Sequence, residues 1–337
     1  MRFVLVLALA ACAAGSADVR TFDGAGVGVR LLDDALAVFY PATSPTRTSH
    51  VGPYELAATH DAPVAPGAHP LVVISHGHGG SMWGHHDLAE ALARAGYIVA
   101  TVEHAGDNWH DQSGVPTGRM LIDRPHQISA AIDRVLADRA LNVDPARIGI
   151  AGFSAGGYTA LMVVGARPDF TRIHGYCERH PDDEICAFRD LAVPAVDRTK
   201  DPRVTAAFAM APLGLFFGPG AFDDVSAPIF LAWATADRVL LPAENAELVK
   251  RAPTLQGTRV VDGAGHYVFL APCAFTPELC SDPAGIDRAA VHAQLARDAV
   301  SFFSRGLVAG RGSARADRDR SPPVASPEPA GAGGSPP

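Results

Sequence analysis

The run Arg147-Ile148-Gly149-Ile150-Ala151-Gly152-Phe153-Ser154-Ala155-Gly156-Gly157 constrains this chain more than any other stretch. A strand-like apolar segment enters Gly-x-Ser-x-Gly, and Tyr158 to Val164 leave it as an apolar, helix-like segment. A serine at such a sharp strand-to-helix bend projects its hydroxyl above the end of a sheet. The glycines fit because strand and helix come so close there that a Cβ would collide. The pattern is short, and a chain with 33 glycines can contain it by chance. Its meaning therefore rests on the surrounding sequence.

Short apolar runs alternate with longer helical stretches along the chain, which predicts an α/β fold with a mostly parallel central sheet flanked by helices. Strands are expected at 27–32, 37–40, 71–75, 97–102, 147–152, 204–210, 229–232 and 258–261, the first two as an antiparallel edge. Helices are expected at 86–95, 124–139, 155–166, 243–251 and 286–304. Residues 110–119 follow a strand end and contain Gly114 and Pro116, so they read as a loop over the site. Residues 168–201 form a long polar excursion with two cysteines, lying across the top of the domain, a common place for substrate selection. No internal repeat is evident.

At 337 residues, with 48% hydrophobic and 19% charged residues, the chain has ample material for a core. One domain is expected over 18–306. Residues 307–337 are expected to be a disordered tail: from about Arg311 the chain is rich in Pro, Gly, Ala and Ser and lacks aromatics. A net charge of −8 without a basic stripe argues against a nucleic-acid partner.

Residues 1–17 read as an export signal: Met1-Arg2, a short apolar run, then small residues. Two versions stay open. Leu9-Ala10-Ala11-Cys12 is similar to a bacterial lipoprotein box, which would tether the mature protein to a membrane through lipidated Cys12; alternatively the peptide is cut after Ala13 or Ala17. Four further cysteines fall as two close pairs in loop-like sequence. In an oxidising compartment they are expected to close as Cys177–Cys186 and Cys273–Cys280, although three connectivities are possible.

A serine hydroxyl becomes a strong nucleophile only when a base takes its proton, and the base needs a third group to orient it. Asp237 follows the apolar run Pro228 to Trp233, and His266 follows the run Thr258 to Val261 through Asp262-Gly263-Ala264-Gly265. Serine, acid and histidine in this chain order, each after a strand, predict a Ser154–Asp237–His266 triad, with Asp262 as the fallback acid. Donors for an oxyanion are expected from the backbone N–H of Ala155 and of His78, the latter in the Gly-rich turn Ser75-His76-Gly77-His78-Gly79-Gly80. His76, His104 and Trp109 are candidates for the substrate pocket, with Trp83 and the 168–201 excursion as further selectors. His76, His78, His85, His86, His104 and His110 invite a metal reading, but no carboxylate or cysteine arrangement accompanies them, so no metal is expected.

These segments, together with Glu103-His104-Ala105-Gly106-Asp107-Asn108, resemble the bacterial secreted α/β-hydrolases of the dienelactone hydrolase-like and plasma-type platelet-activating-factor acetylhydrolase-like group. The resemblance covers about residues 70–303. It implies the α/β-hydrolase fold and ester hydrolysis through an acyl-enzyme, without a cofactor. True dienelactone hydrolases carry a cysteine where Ser154 stands, which counts against a dienelactone as substrate. Short-chain or accessible small-molecule esters are the expected substrates, with phospholipid acyl chains or polyesters as the alternative. Peptides are less expected, because nothing suggests an added domain that screens them. A catalytically silent binding protein on the same fold is the non-enzyme alternative. The sequence sets no oligomeric state.

Overall fold

The computed structural model describes residues 26–191, 193, 199–273 and 276–316. In chain order its strands are β1 (Gly26–Asp33), β2 (Leu36–Ala42), β3 (Thr48–Val51), β4 (Tyr54–Ala57), β5 (Thr59–His60), β6 (His69–Ser75), β7 (Ile98–Val102), β8 (Val143–Phe153), β9 (Val204–Met210), β10 (Ile229–Ala234) and β11 (Leu255–Val261). The helices are α1 (His86–Arg94), α2 (Met120–Ala137), α3 (Ala155–Val163), α4 (Arg172–Arg179), α5 (Ala246–Val249), α6 (Pro277–Cys280) and α7 (Arg288–Ala316).

One sheet runs in the order β11-β10-β9-β8-β6-β7-β2-β1-β5. Every neighbouring pair from β7 through β6, β8, β9 and β10 to β11 is parallel. β2 is antiparallel to both β1 and β7, as its position before the first helix suggested. Side chains alternate across the sheet as the pleat requires. Ile148 and Ile150 of β8 join Ile128 and Ile132 of α2 and Leu161 of α3 on one face. Ala151 and Phe153 join Leu88 and Leu92 of α1 and Phe302 and Phe303 of α7 on the other. α3 is buried at every position, which explains why it has no polar stripe.

Five elements differ from the sequence expectations. The β3–β4 hairpin and two-residue β5 are too short and polar to give a period-two signal. The 168–201 excursion contains α4 and a 3₁₀ turn, Glu184–Phe188, so it is not structureless. α2 begins at Met120, which leaves Pro125 inside the helix. The α5 segment is shortened because Pro242 opens a separate 3₁₀ turn over Pro242–Glu244. α7 continues to Ala316, into the segment expected as tail; Leu307, Ala309, Arg311, Ala314, Arg315 and Ala316 favour helix, and no proline interrupts before Pro322. The export-signal segment with Cys12 and residues 317–337 lie outside the described residues. Among the described residues no helix is long and apolar enough to cross a membrane.

Candidate active site

Parallel strands bring the loops that follow them to one sheet edge, where ligands bind in open α/β sheets. The turn after β6, the bend after β8 and the loops after β10 and β11 all leave that edge. Ser154 occupies the bend with φ 56° and ψ −118°, a backbone state that costs a non-glycine residue about 1–3 kcal/mol. Tight neighbours hold it there. Ser154 N–H donates to the Met210 carbonyl at 2.9 Å, and its own carbonyl accepts from Leu213 N–H at 3.0 Å and Tyr158 N–H at 3.1 Å. A Cβ on Gly152 would stand 2.0 Å from the Gly156 carbonyl oxygen, and one on Gly156 would stand 2.0 Å from that of Ser75. The glycine spacing is thus a packing requirement at the bend.

His266 opens a 3₁₀ turn, His266–Phe269, and Asp237 lies in the loop after β10. Both are 4% exposed. His266 Nε2 is 3.0 Å from Ser154 Oγ, and His266 Nδ1 is 2.7 Å from Asp237 Oδ2. The other oxygen of Asp237 accepts from the N–H groups of Val239 at 2.9 Å and Leu240 at 2.8 Å, so the carboxylate cannot swing away. Because a carboxylate only accepts, Nδ1 carries the hydrogen and Nε2 presents its lone pair to the serine hydroxyl. The fallback Asp262 is exposed and bonds Thr235 Oγ1 at 2.8 Å instead.

Ala155 is the first residue of α3, so its N–H has no partner one turn back and sits at the positive end of the helix dipole. Across from it, a Cβ on Gly77 would stand 3.4 Å from Ser154 Cβ. The turn carrying His78 therefore packs directly on the bend.

The pocket candidates divide. Trp109 is 69% exposed, and its backbone N–H donates to the Gly80 carbonyl at 2.9 Å, beside that turn. His76 and His104 are corrected to interior residues, 2% and 0% exposed. His76 Nδ1 donates to the Gly77 carbonyl at 2.6 Å while Nε2 accepts from His104 N–H at 3.1 Å. His104 bonds Ser75 Oγ at 2.8 Å and Gln127 Oε1 at 2.7 Å. Burial and the Arg124 charge push His76 down to about 3 and hold His104 well below the usual imidazole range. Both are neutral scaffolding. Trp83, 8% exposed, packs edge-on against Phe39 at 6.2 Å and belongs to the core.

The histidines that suggested a ligand set are spent on separate partners. His78 meets Asp107, His86 meets Glu90 at 3.1 Å and His110 approaches Glu103 at 3.7 Å. Among the described residues no three His, Cys, Asp or Glu side chains form a group that could hold a metal ion. Cys177–Cys186 and Cys273–Cys280 are disulfide-bonded; the first sits in the excursion and the second follows the His266 turn. Sequence reasoning missed Asp107 and Arg124, which lie fully buried beneath the turn. The available signal was Arg124 itself, a cation four residues before Ile128 on the apolar stripe of α2.

Known proteins share these segments. The profile of the prolyl oligopeptidase family matches residues 72–173, from β6 through Ser154 and α3. NocK of Nocardia uniformis subsp. tsuyamanensis, provisionally named an esterase, is 34% identical over 125 residues. That match covers 35% of this chain and 35% of NocK, about a third of the length of each. A solved structure of a ferulic acid esterase from Streptomyces cinnamoneus is 24% identical, with a TM-score of 0.57, covering 87% of this chain and 93% of that one. At this identity the likeness speaks for the architecture, and the chain has the α/β-hydrolase fold.

Proposed function

We propose that this protein is a serine hydrolase that cleaves carboxylic esters through an acyl-enzyme intermediate. The observation that carries this reading is the unbroken relay from Ser154 Oγ through His266 to Asp237, at 3.0 and 2.7 Å. His266 Nε2 takes the hydroxyl proton as Ser154 attacks the ester carbonyl, and Asp237 stabilises the imidazolium. The N–H groups of Ala155 and His78 receive the oxyanion; a single such donor contributes about 10²–10³-fold to rate. His266 then protonates the leaving alcohol, and water repeats the sequence on the acyl-enzyme.

Small, accessible esters suit a serine that is partly open to solvent. The exposed indole of Trp109 beside the turn favours a second reading, in which the substrate has an extended apolar face, as phospholipid acyl chains and polyesters do. The proposal includes membership of the dienelactone hydrolase-like and platelet-activating-factor acetylhydrolase-like group, and export: both disulfides suit an oxidising compartment. The mass of the mature N-terminus separates lipidation at Cys12 from cleavage after Ala13 or Ala17.

A panel of p-nitrophenyl esters from acetate to palmitate, beside a phospholipid and a polyester film, tests the reading. We expect turnover highest on the short esters and abolished in Ser154→Ala. Undiminished turnover in Ser154→Ala would contradict it, and a maximum on phospholipid or film selects the second reading.

A further inference from the structure

Two charged side chains lie beneath the β6 turn and take no part in the reaction as written above. Arg124 of α2 and Asp107 are both fully buried, with Nη1 and Oδ2 2.5 Å apart. Asp107 Oδ1 accepts from His78 Nδ1 at 2.5 Å and from Gly79 N–H at 3.0 Å. Arg124 Nη2 donates to the His76 carbonyl. One ion pair thus grips the turn at a carbonyl, a side chain and an amide. Within the turn Gly80 N–H closes onto the Gly77 carbonyl at 3.2 Å. Among the described residues this leaves the amides of Gly77 and His78 without a protein acceptor, in a turn that packs against Ser154.

A buried ion pair gives little net stability compared with apolar residues of the same volume. Its contribution here is geometric. An oxyanion donor works only if it is already aimed, and a Gly-rich turn has many conformations in which it is not. Burial alone would raise the Asp107 carboxyl, but the His78 hydrogen bond and the Arg124 charge hold it down to about 2. Asp107 therefore grips the turn as a carboxylate, paired with the Arg124 cation.

We propose that the Arg124–Asp107 pair is the positioning unit of the oxyanion turn, fixing residues 76–79 so that the His78 amide faces the developing charge. This rests on the ester-cleaving reading. Neither side chain touches substrate; both act through the turn.

The test compares Asp107→Asn, Arg124→Lys and His78→Ala with wild type. Active sites are titrated to the end point with a fluorophosphonate, and kcat for p-nitrophenyl acetate is expressed per titrated site. A merely structural role lowers the titrated fraction and leaves kcat per site intact. Positioning lowers kcat per site, by about 10–100-fold in Asp107→Asn, with KM within about threefold. Arg124→Lys, which keeps the charge and loses the two-pronged grip, should fall in between. If neither buried variant folds, His78→Ala carries the test, since its side chain is 51% exposed and its loss should still cost at least about threefold in kcat per site. A kcat per site within twofold of wild type in the folded variant overturns the proposal. Failure of wild type to label at Ser154 overturns the ester-cleaving reading instead.

Discussion

Two histidine–aspartate pairs in this molecule share a geometry and differ at one atom. His266 Nδ1 meets Asp237 at 2.7 Å, and its Nε2 faces the Ser154 hydroxyl at 3.0 Å. His292 Nδ1 on α7 meets Asp87 at 2.5 Å, and its Nε2 faces the Val268 carbonyl at 2.9 Å. A hydroxyl can donate, so His266 keeps a lone pair and can act as a base. A carboxylate and a carbonyl both only accept, so His292 needs a hydrogen on each nitrogen and carries a charge. Burial opposes that charge, but Asp87 outweighs burial and Arg288, and the His292 pKa is raised. Val268 lies two residues after His266, so the His292–Asp87 ion pair clamps the turn that carries His266. What the imidazole faces on its far side separates a base from a clamp.

The largest expected effect breaks the first pair. His266→Ala should lower kcat by at least about 10⁴-fold; Asp237→Asn should cost about 10⁴-fold by favouring the wrong tautomer. Steady-state kinetics on p-nitrophenyl acetate checks both. His292→Gln should act on stability and leave the chemistry largely in place. Removing one partner of a fully buried pair costs about 3–5 kcal/mol, and with the Asp87 side chain 25% exposed we expect about 2–3 kcal/mol of lost stability by urea unfolding. Its kcat per titrated site should stay within about tenfold of wild type. Cutting Cys273–Cys280, whose sequence separation is only 7 residues, removes a second restraint after the same turn and should cost about 2.4 kcal/mol by the same measurement.

The smallest effect is a slope with pH. The folded pKa of His292 is raised above its unfolded value of about 6.5. Its contribution to stability is therefore complete below that value and lost as pH rises through the folded pKa. Asp87 is the opposite case: burial would raise its carboxyl, but the His292 charge and hydrogen bond hold it lower. Its contribution is complete above about 3.9 and lost as pH falls through the folded value. The unfolding free energy measured by urea should thus decline on the alkaline side by no more than about 1.4 kcal/mol per pH unit from this one proton. His292→Gln should flatten that decline.

What could be read in the sequence follows from how local each feature is. Ser154, Asp237 and His266 each end a recognisable apolar run, so chain order and strand ends sufficed to bring them forward. Each disulfide joins cysteines fewer than ten residues apart, within reach of a spacing argument. The supporting pairs span longer distances: 17 residues separate Asp107 from Arg124, and 205 separate Asp87 from His292. Nothing in a residue's immediate neighbours reveals such a partner. The same limit explains His76 and His104, which looked accessible in a Gly-rich and polar context. The side chains of both turn inward: the His76 ring meets the His104 N–H, and the His104 ring meets Gln127, contributed by a helix over 20 residues away in the chain.

The central claim is that Ser154 forms the covalent bond to the acyl group. Rapid quench of the enzyme with p-nitrophenyl acetate, followed by peptide mass spectrometry, tests it most directly. One acetyl group per titrated site should appear on the peptide containing Ser154, and none in Ser154→Ala. An acetyl group on any other residue, or full turnover with no acyl adduct at Ser154, would contradict the account.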